Sequence, residues 1–182
     1  MGIPTLIATN SDSTDVANIS FTSGIDSTYD EYMFVGTDIG PATDDTSILF
    51  QCSIDGGSNY NVTVTSTIFR SYTLESGSGY VQYYTDSPLL YQSQGTSFQG
   101  LAAQLGNGSD ESGSFILNLF TPSSTTYVKH FYSRSHVHYA AEGAMGFYVS
   151  GYFNDGDDDI NAIQFKMSSG NLDGTIQMYG IA

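Results

Sequence analysis

Three histidines fall within one short stretch, His130, His136 and His138, with Arg134 among them and Glu142 close behind. On a strand, His136 and His138 would project from one face two residues apart, which supplies half of a metal site. A metal needs a third and usually a fourth ligand, and no Cys, Asp or Glu stands at a firm spacing to provide one. The simpler reading is a polar loop or a contact between subunits. The run NDGDDD, Asn154 to Asp159, gathers the carboxylates that a hard cation such as calcium takes, with Asp157 to Asp159 consecutive. It lacks the D-x-D-x-D-G order and the twelfth-position Glu of an EF-hand, and between two strand candidates it reads as a solvated turn. Neither cluster is assigned a metal, and no cofactor is expected.

Nucleophilic catalysis calls for a Ser on a G-x-S-x-G turn or a Cys with a His partner. The G-x-S-x-G pattern does not occur, and Cys52 alternates with Ile48, Phe50 and Ile54, which marks it as a buried strand thiol. Glu31, Glu75, Glu111 and Glu142 could serve as paired carboxylates only at a separation that sequence does not give. The chain is therefore read as a non-enzyme with no catalytic residue. Two aromatic groups, Tyr80, Tyr83, Tyr84, Tyr91 and Tyr127, Phe131, Tyr132, could stack on sugar rings. Tyrosines at strand spacing more often cover core edges and interfaces, so glycan binding stands as the alternative function.

The formal net charge is -15, and Arg70, Lys129, Arg134 and Lys166 are the four fixed cations. Such a surface is repelled by phosphate backbones and anionic bilayers, which argues against nucleic-acid and membrane partners. A single cysteine permits no internal disulfide. The opening MGIPTLIATNSDSTD has no Lys or Arg, no run reaches the ~20 apolar residues of a membrane helix, and Leu6 does not fit a myristoylation signal. Synthesis in the cytosol is expected.

The elements that must position these residues read as strands. The 182 residues carry 14 Tyr, 11 Phe, 20 Gly, 25 Ser and 18 Thr. Aromatic and β-branched residues favour pleated surfaces, while Gly, Ser, Asn and Asp supply turns. Apolar alternation marks strand candidates at Val16–Gly24, Ile25–Ile39, Ser47–Ile54, Tyr60–Leu74, Tyr80–Thr85, Ser114–Phe120, Thr126–Ser133, Gly146–Phe153, Ile160–Met167 and Asp173–Ile181. Phe98, Leu101, Ala102 and Leu105 sit at i, i+3, i+4 and i+7 before Gly106, which predicts one short helix over 97–106. The expected architecture is all-β, an antiparallel sandwich or barrel of about nine or ten strands plus that helix. Residues 1–15 form an N-terminal extension or arm, and 16–182 a single domain.

Three segments carry a resemblance: ISFTSGIDSTYDEYMFVGTDIGPATD (Ile19 to Asp44), SGSFILNLFTPSSTTYVKHFYS (Ser112 to Ser133) and INAIQFKMSSGNLDGTIQMYGI (Ile160 to Ile181). Their Ser-Gly-Ile-Asp opening, Pro-Ser-Ser-Thr-Thr centre and Gly-Thr-Ile-x-x-Tyr-Gly ending resemble a family of bacteriophage virion proteins frequent among viruses of marine bacteria and cyanobacteria. The resemblance implies a jelly-roll-like β-sandwich displayed on the particle, as capsid decoration or in the tail. It brings no catalytic motif. The partners it implies are a major capsid protein or other virion proteins and further copies of the chain, a trimer being the expected oligomer, with assembly in the host cytoplasm. SHVHYAAEGAMG, residues 135–146, fits the pattern least and is expected to form a loop peculiar to this chain.

Overall fold

The computed structural model describes residues 2–83, 90–154, 156 and 158–182. Twelve strands follow in order among these residues: β1 (Thr5–Val16), β2 (Ile19–Phe21), β3 (Glu31–Pro41), β4 (Thr46–Ser53), β5 (Val64–Leu74), β6 (Gly79–Tyr83), β7 (Gln99–Leu105), β8 (Gly113–Phe120), β9 (Lys129–Tyr139), β10 (Gly143–Phe153), β11 (Ala162–Met167) and β12 (Leu172–Ile181). Every pairing is antiparallel, so the chain is all-β, and no helix occurs among the described residues.

Two ladders make up the structure. One runs β1-β12-β3-β8-β9-β10-β5-β6, and the other β2-β11-β4-β7. They meet where β7 touches the end of β9, at Leu105 opposite Tyr139. On the far side Asn10 Nδ2 donates to the Ser20 carbonyl at 2.8 Å, joining β1 to β2, so the whole sheet is nearly closed and barrel-like. Leaving aside β5–β6 and β9–β10, the first strand pairs with the last, β2 with β11, β3 with β8, and β4 with β7.

Strict alternation builds the long ladder. Along β9 the odd positions Phe131, Ser133, Ser135 and Val137 point inward, and the even positions His130, Tyr132, Arg134 and His136 point out. The core between the ladders is aromatic. Phe165 sits at its centre, with ring centroids 5.3 Å from Phe115, 5.6 Å from Phe34, 6.4 Å from Phe50 and 6.5 Å from Phe21. Phe131 and Phe153 extend the cluster through Phe50. Each such ring, wholly withdrawn from water, contributes roughly 1.5–3 kcal/mol.

Within the short ladder, β4 and β7 are buried on both faces. Ile48, Phe50 and Cys52 face the aromatic core, while Leu49, Gln51 and Ser53 are covered by irregular chain. Gln51 fixes that cover, its Nε2 donating to the carbonyls of Val62 and Ser97 and its Oε1 accepting from the Cys52 amide. Gln99 does the same for Leu90. These amides satisfy backbone groups that burial would otherwise leave unpaired.

Burial on both faces also explains why the expected helix is a strand. Leu101 and Leu105 lie on one face of β7 and Ala102 on the other, all inaccessible, so apolar residues occur on both sides and imitate helical spacing. The two strands beyond the ten expected are β7 and β1. The segment expected as an arm lies largely in β1, an edge strand whose polar, exposed side chains hide it from a search for alternation, although its backbone pairs with β12 from Thr5 to Val16. Residues 135–146 are a hairpin rather than a loop. β9 continues to Tyr139 and β10 begins at Gly143, so only Ala140 to Glu142 turn, with Glu142 at φ 58°.

Candidate functional site

The outward face of the long ladder collects the chemistry-bearing residues. Antiparallel register sets Gln177, Val35, Ile116, Arg134, Tyr148, Phe69 and Tyr83 side by side, one from each of β12, β3, β8, β9, β10, β5 and β6. All of them point outward, and Ile116, Tyr148, Phe69 and Tyr83 remain exposed. Tyr148 stacks on Phe69 and carries the Arg134 guanidinium 5.5 Å from its centroid, a cation–π contact worth ~0.5–1 kcal/mol at an exposed site.

Small residues on either side of this row leave two depressions. The larger, about 640 Å³, is lined by Ser71, Thr73, Ser114, Ala144 and Gly146 together with Arg134, His136 and Tyr148. The smaller, about 440 Å³, lies along the same face between Thr65, Thr67, Ser150 and the aromatic side chains of Phe120, His130, Tyr132 and Tyr152. Among the described residues no Asp or Glu lines either one, although the chain holds 19 acidic residues. Among the fixed cations, Arg70 and Lys129 are buried on the inner side and Lys166 sits over the Phe98 ring at 4.0 Å, which leaves Arg134 as the fixed positive charge of this face. The two depressions therefore offer hydroxyls, flat rings and N–H donors, with Arg134 the charged group among their described lining residues, while Glu31 stands on the same outer face and accepts from Asn118 Nδ2.

The histidines divide. His130, His136 and His138 all project from the outer face of β9, as the two-residue spacing of the last two predicts, but they enter different surroundings. His136 lines the larger depression. His138 Nδ1 lies 2.9 Å from Glu111 Oε1, and its ring nitrogen together with carboxylate oxygens of Glu75 and Glu142 fall within 4.8 Å of one another, a trio that could hold a metal ion. Glu75 and Glu142 stand on two neighbouring hairpin turns tied by a bond from the Glu75 amide to the Glu142 carbonyl at 3.1 Å. Sequence spacing pairs His138 with His136; the fold instead brings Glu75 from more than sixty positions away. In the acidic run read as a solvated turn, Asp155 and Asp157 lie outside the described residues, while Asp158 and Asp159 are exposed.

The other candidates scatter. Burial pushes the Cys52 thiol well up from its ordinary value, so the thiolate that nucleophilic chemistry requires is disfavoured. Phe131 is in the core, Tyr132 is on the groove, and Tyr127 is exposed elsewhere, so they form no common stripe. Tyr80 packs edge-on to Tyr72 with centroids 4.2 Å apart, Tyr83 approaches Tyr91, and Tyr84 lies outside the described residues. The Tyr72 phenol is raised, first by its bond to the Tyr80 hydroxyl and then by burial. The aromatic surface missed by reading along the chain is the one running across it.

No protein-family model and no curated protein matches this chain.

Proposed function

We propose that the chain is a non-enzymatic structural protein of a bacteriophage virion, a jelly-roll module on the capsid exterior that decorates and stabilises the particle. What carries this reading is the order of strand pairing. First with last, β2 with β11, β3 with β8 and β4 with β7 is the order produced when a long antiparallel hairpin is wound into two four-stranded sheets, the arrangement of jelly-roll domains in viral capsids and lectins. On that reading β5–β6 and β9–β10 are hairpins inserted into the roll, extending one sheet outward. The support is a fold-level analogy, joined by the three virion-like segments and by a charge that keeps an abundant exterior protein soluble and away from DNA.

The mechanism is linkage: a protein that binds only the assembled shell adds its binding free energy to the shell's stability. Its partners are then the major capsid protein and further copies of itself, as a trimer. Purified virions test this directly. Decoration predicts hundreds of copies per particle by quantitative gel staining, and particles stripped of the protein lose heat tolerance; unchanged tolerance refutes the stabilising role. A second reading, a tail-associated module that grips glycan on a host surface, is favoured by one observation, the row of outward aromatic side chains flanked by two depressions. A handful of copies per particle would select it.

A further inference from the structure

We propose that the outer face of β8, β9, β10 and β5 binds a carboxylated saccharide, a chain of uronic-acid type, with Arg134 receiving the carboxylate. This names the ligand class of the glycan-binding reading and rests on that reading only in taking the ligand to be a saccharide; it holds wherever on a particle the chain sits.

Three observations converge on that class. A sugar ring offers an apolar C–H face and a rim of hydroxyls. Tyr148 and Phe69, stacked with planes 10° apart and both exposed, present an aromatic patch, and Ser71, Thr73 and Ser114 supply hydroxyls in the adjoining depression of about 640 Å³. The two depressions lie along one face on either side of the aromatic row, so the site is elongated and suits an oligomer better than a compact ligand. The charge decides between neutral and acidic sugars. In a molecule of net charge -15 the described lining of the groove contains Arg134 and His136 and no carboxylate, and among the described residues no acid pairs with Arg134. A guanidinium that keeps its fork of donors free beside an aromatic wall matches a planar carboxylate. A neutral sugar would leave that charge without a counterpart.

Gly146 provides a test that spares the fold. A Cβ there would meet Ser71 Oγ at 3.4 Å and the Ser135 carbonyl at 3.8 Å, ordinary contacts, so Gly146→Val fills the floor of the groove with a residue suited to a strand. Calorimetric titration of the full chain with hexagalacturonate, and with maltohexaose as the neutral control, reads the site. Hexagalacturonate binds, maltohexaose binds at least roughly tenfold more weakly, and both Arg134→Gln and Gly146→Val lose roughly tenfold or more in affinity for the acidic hexamer with unchanged circular dichroism. Equal affinity for the two sugars overturns the acidic class while leaving glycan binding in place. Binding of neither sugar overturns both. Full-strength binding by Gly146→Val removes the site from this face. A wild-type oligomer that Gly146→Val dissociates in sedimentation shows the face to be covered by a second copy, which also overturns the proposal.

Discussion

Tyr148 lies parallel to Phe69 across the β10–β5 pair, ring centroids 4.8 Å apart and planes 10° from one another, on the outside of the sheet. Two large rings stacked in water gain from each other beyond the area they hide, about 0.5–1.5 kcal/mol for such a pair. A double-mutant cycle on Phe69→Ala and Tyr148→Ala, read by urea denaturation, therefore shows a coupling of that size. Additive losses would mean that the rings are neighbours without being partners.

Phe165 touches four other rings from both ladders, and nothing of it reaches solvent. Replacing it with alanine removes the ring from the centre of a close-packed cluster and leaves a void lined by aromatic edges. Phe165→Ala is expected to lower unfolding free energy by about 3–5 kcal/mol. Equilibrium denaturation against the wild type measures it, and a loss under ~1 kcal/mol would mean that the core collapses around the gap.

Asp55 organises the turn after β4. It accepts from Ser53 Oγ at 2.7 Å, from the Asn59 amide at 2.8 Å and from Asn59 Nδ2 at 2.7 Å, and these bonds, Ser53's first, lower its carboxyl to about 2 from the ordinary 3.8. A depressed carboxyl stabilises the fold above its unfolded value and loses that contribution as pH falls through the folded one. The stability difference between wild type and Asp55→Asn is therefore constant near neutrality and shrinks as pH drops from 3.8 towards 2. Thermal melts across that range check it, and a difference independent of pH would contradict it.

β12 is bonded on both sides, Ile176 opposite Asn10 of β1 and opposite Gly36 of β3. Ending the chain after Gly174 removes most of an interior strand and with it the buried Ile176 and Met178. The shortened chain is expected in the insoluble fraction without a β-sheet dichroism signal. A soluble, cooperatively melting product would show that β1 and β3 can join without it.

The same strand shows how far the fold was legible along the chain. Ile163, Phe165 and Met167, then Ile176 and Met178, alternate in sequence and are all buried, and the turn between β11 and β12 falls at Ser168 to Asn171 as its residues suggest. Alternation fails where a strand has no dry and wet side. β7 is covered on both faces and reads as a helix, while β1 keeps most of its side chains in water and reads as an arm. The candidate site was legible only in fragments. Arg134 stood out as one of four fixed cations and His136 as one of three histidines, but the neighbours of Arg134, Tyr148 and Ile116, are set by register between strands, which no local spacing records. Glu75 beside His138 was hidden for the same reason, whereas Glu142 stands close to the histidines in sequence.

The pairing of β1 with β12 bears on how the molecule comes into being. β12, made after the other eleven strands described, occupies the gap between β1 and β3, so the long ladder stays divided until it has been made. Such non-local pairing slows folding into the millisecond-to-second range, because loop closure must precede any gain from contact. Until then β1 and β3 each present an open edge, and an unpaired edge invites another chain. The many acidic groups then have a second use, holding nascent copies apart during the interval before the ladder is completed.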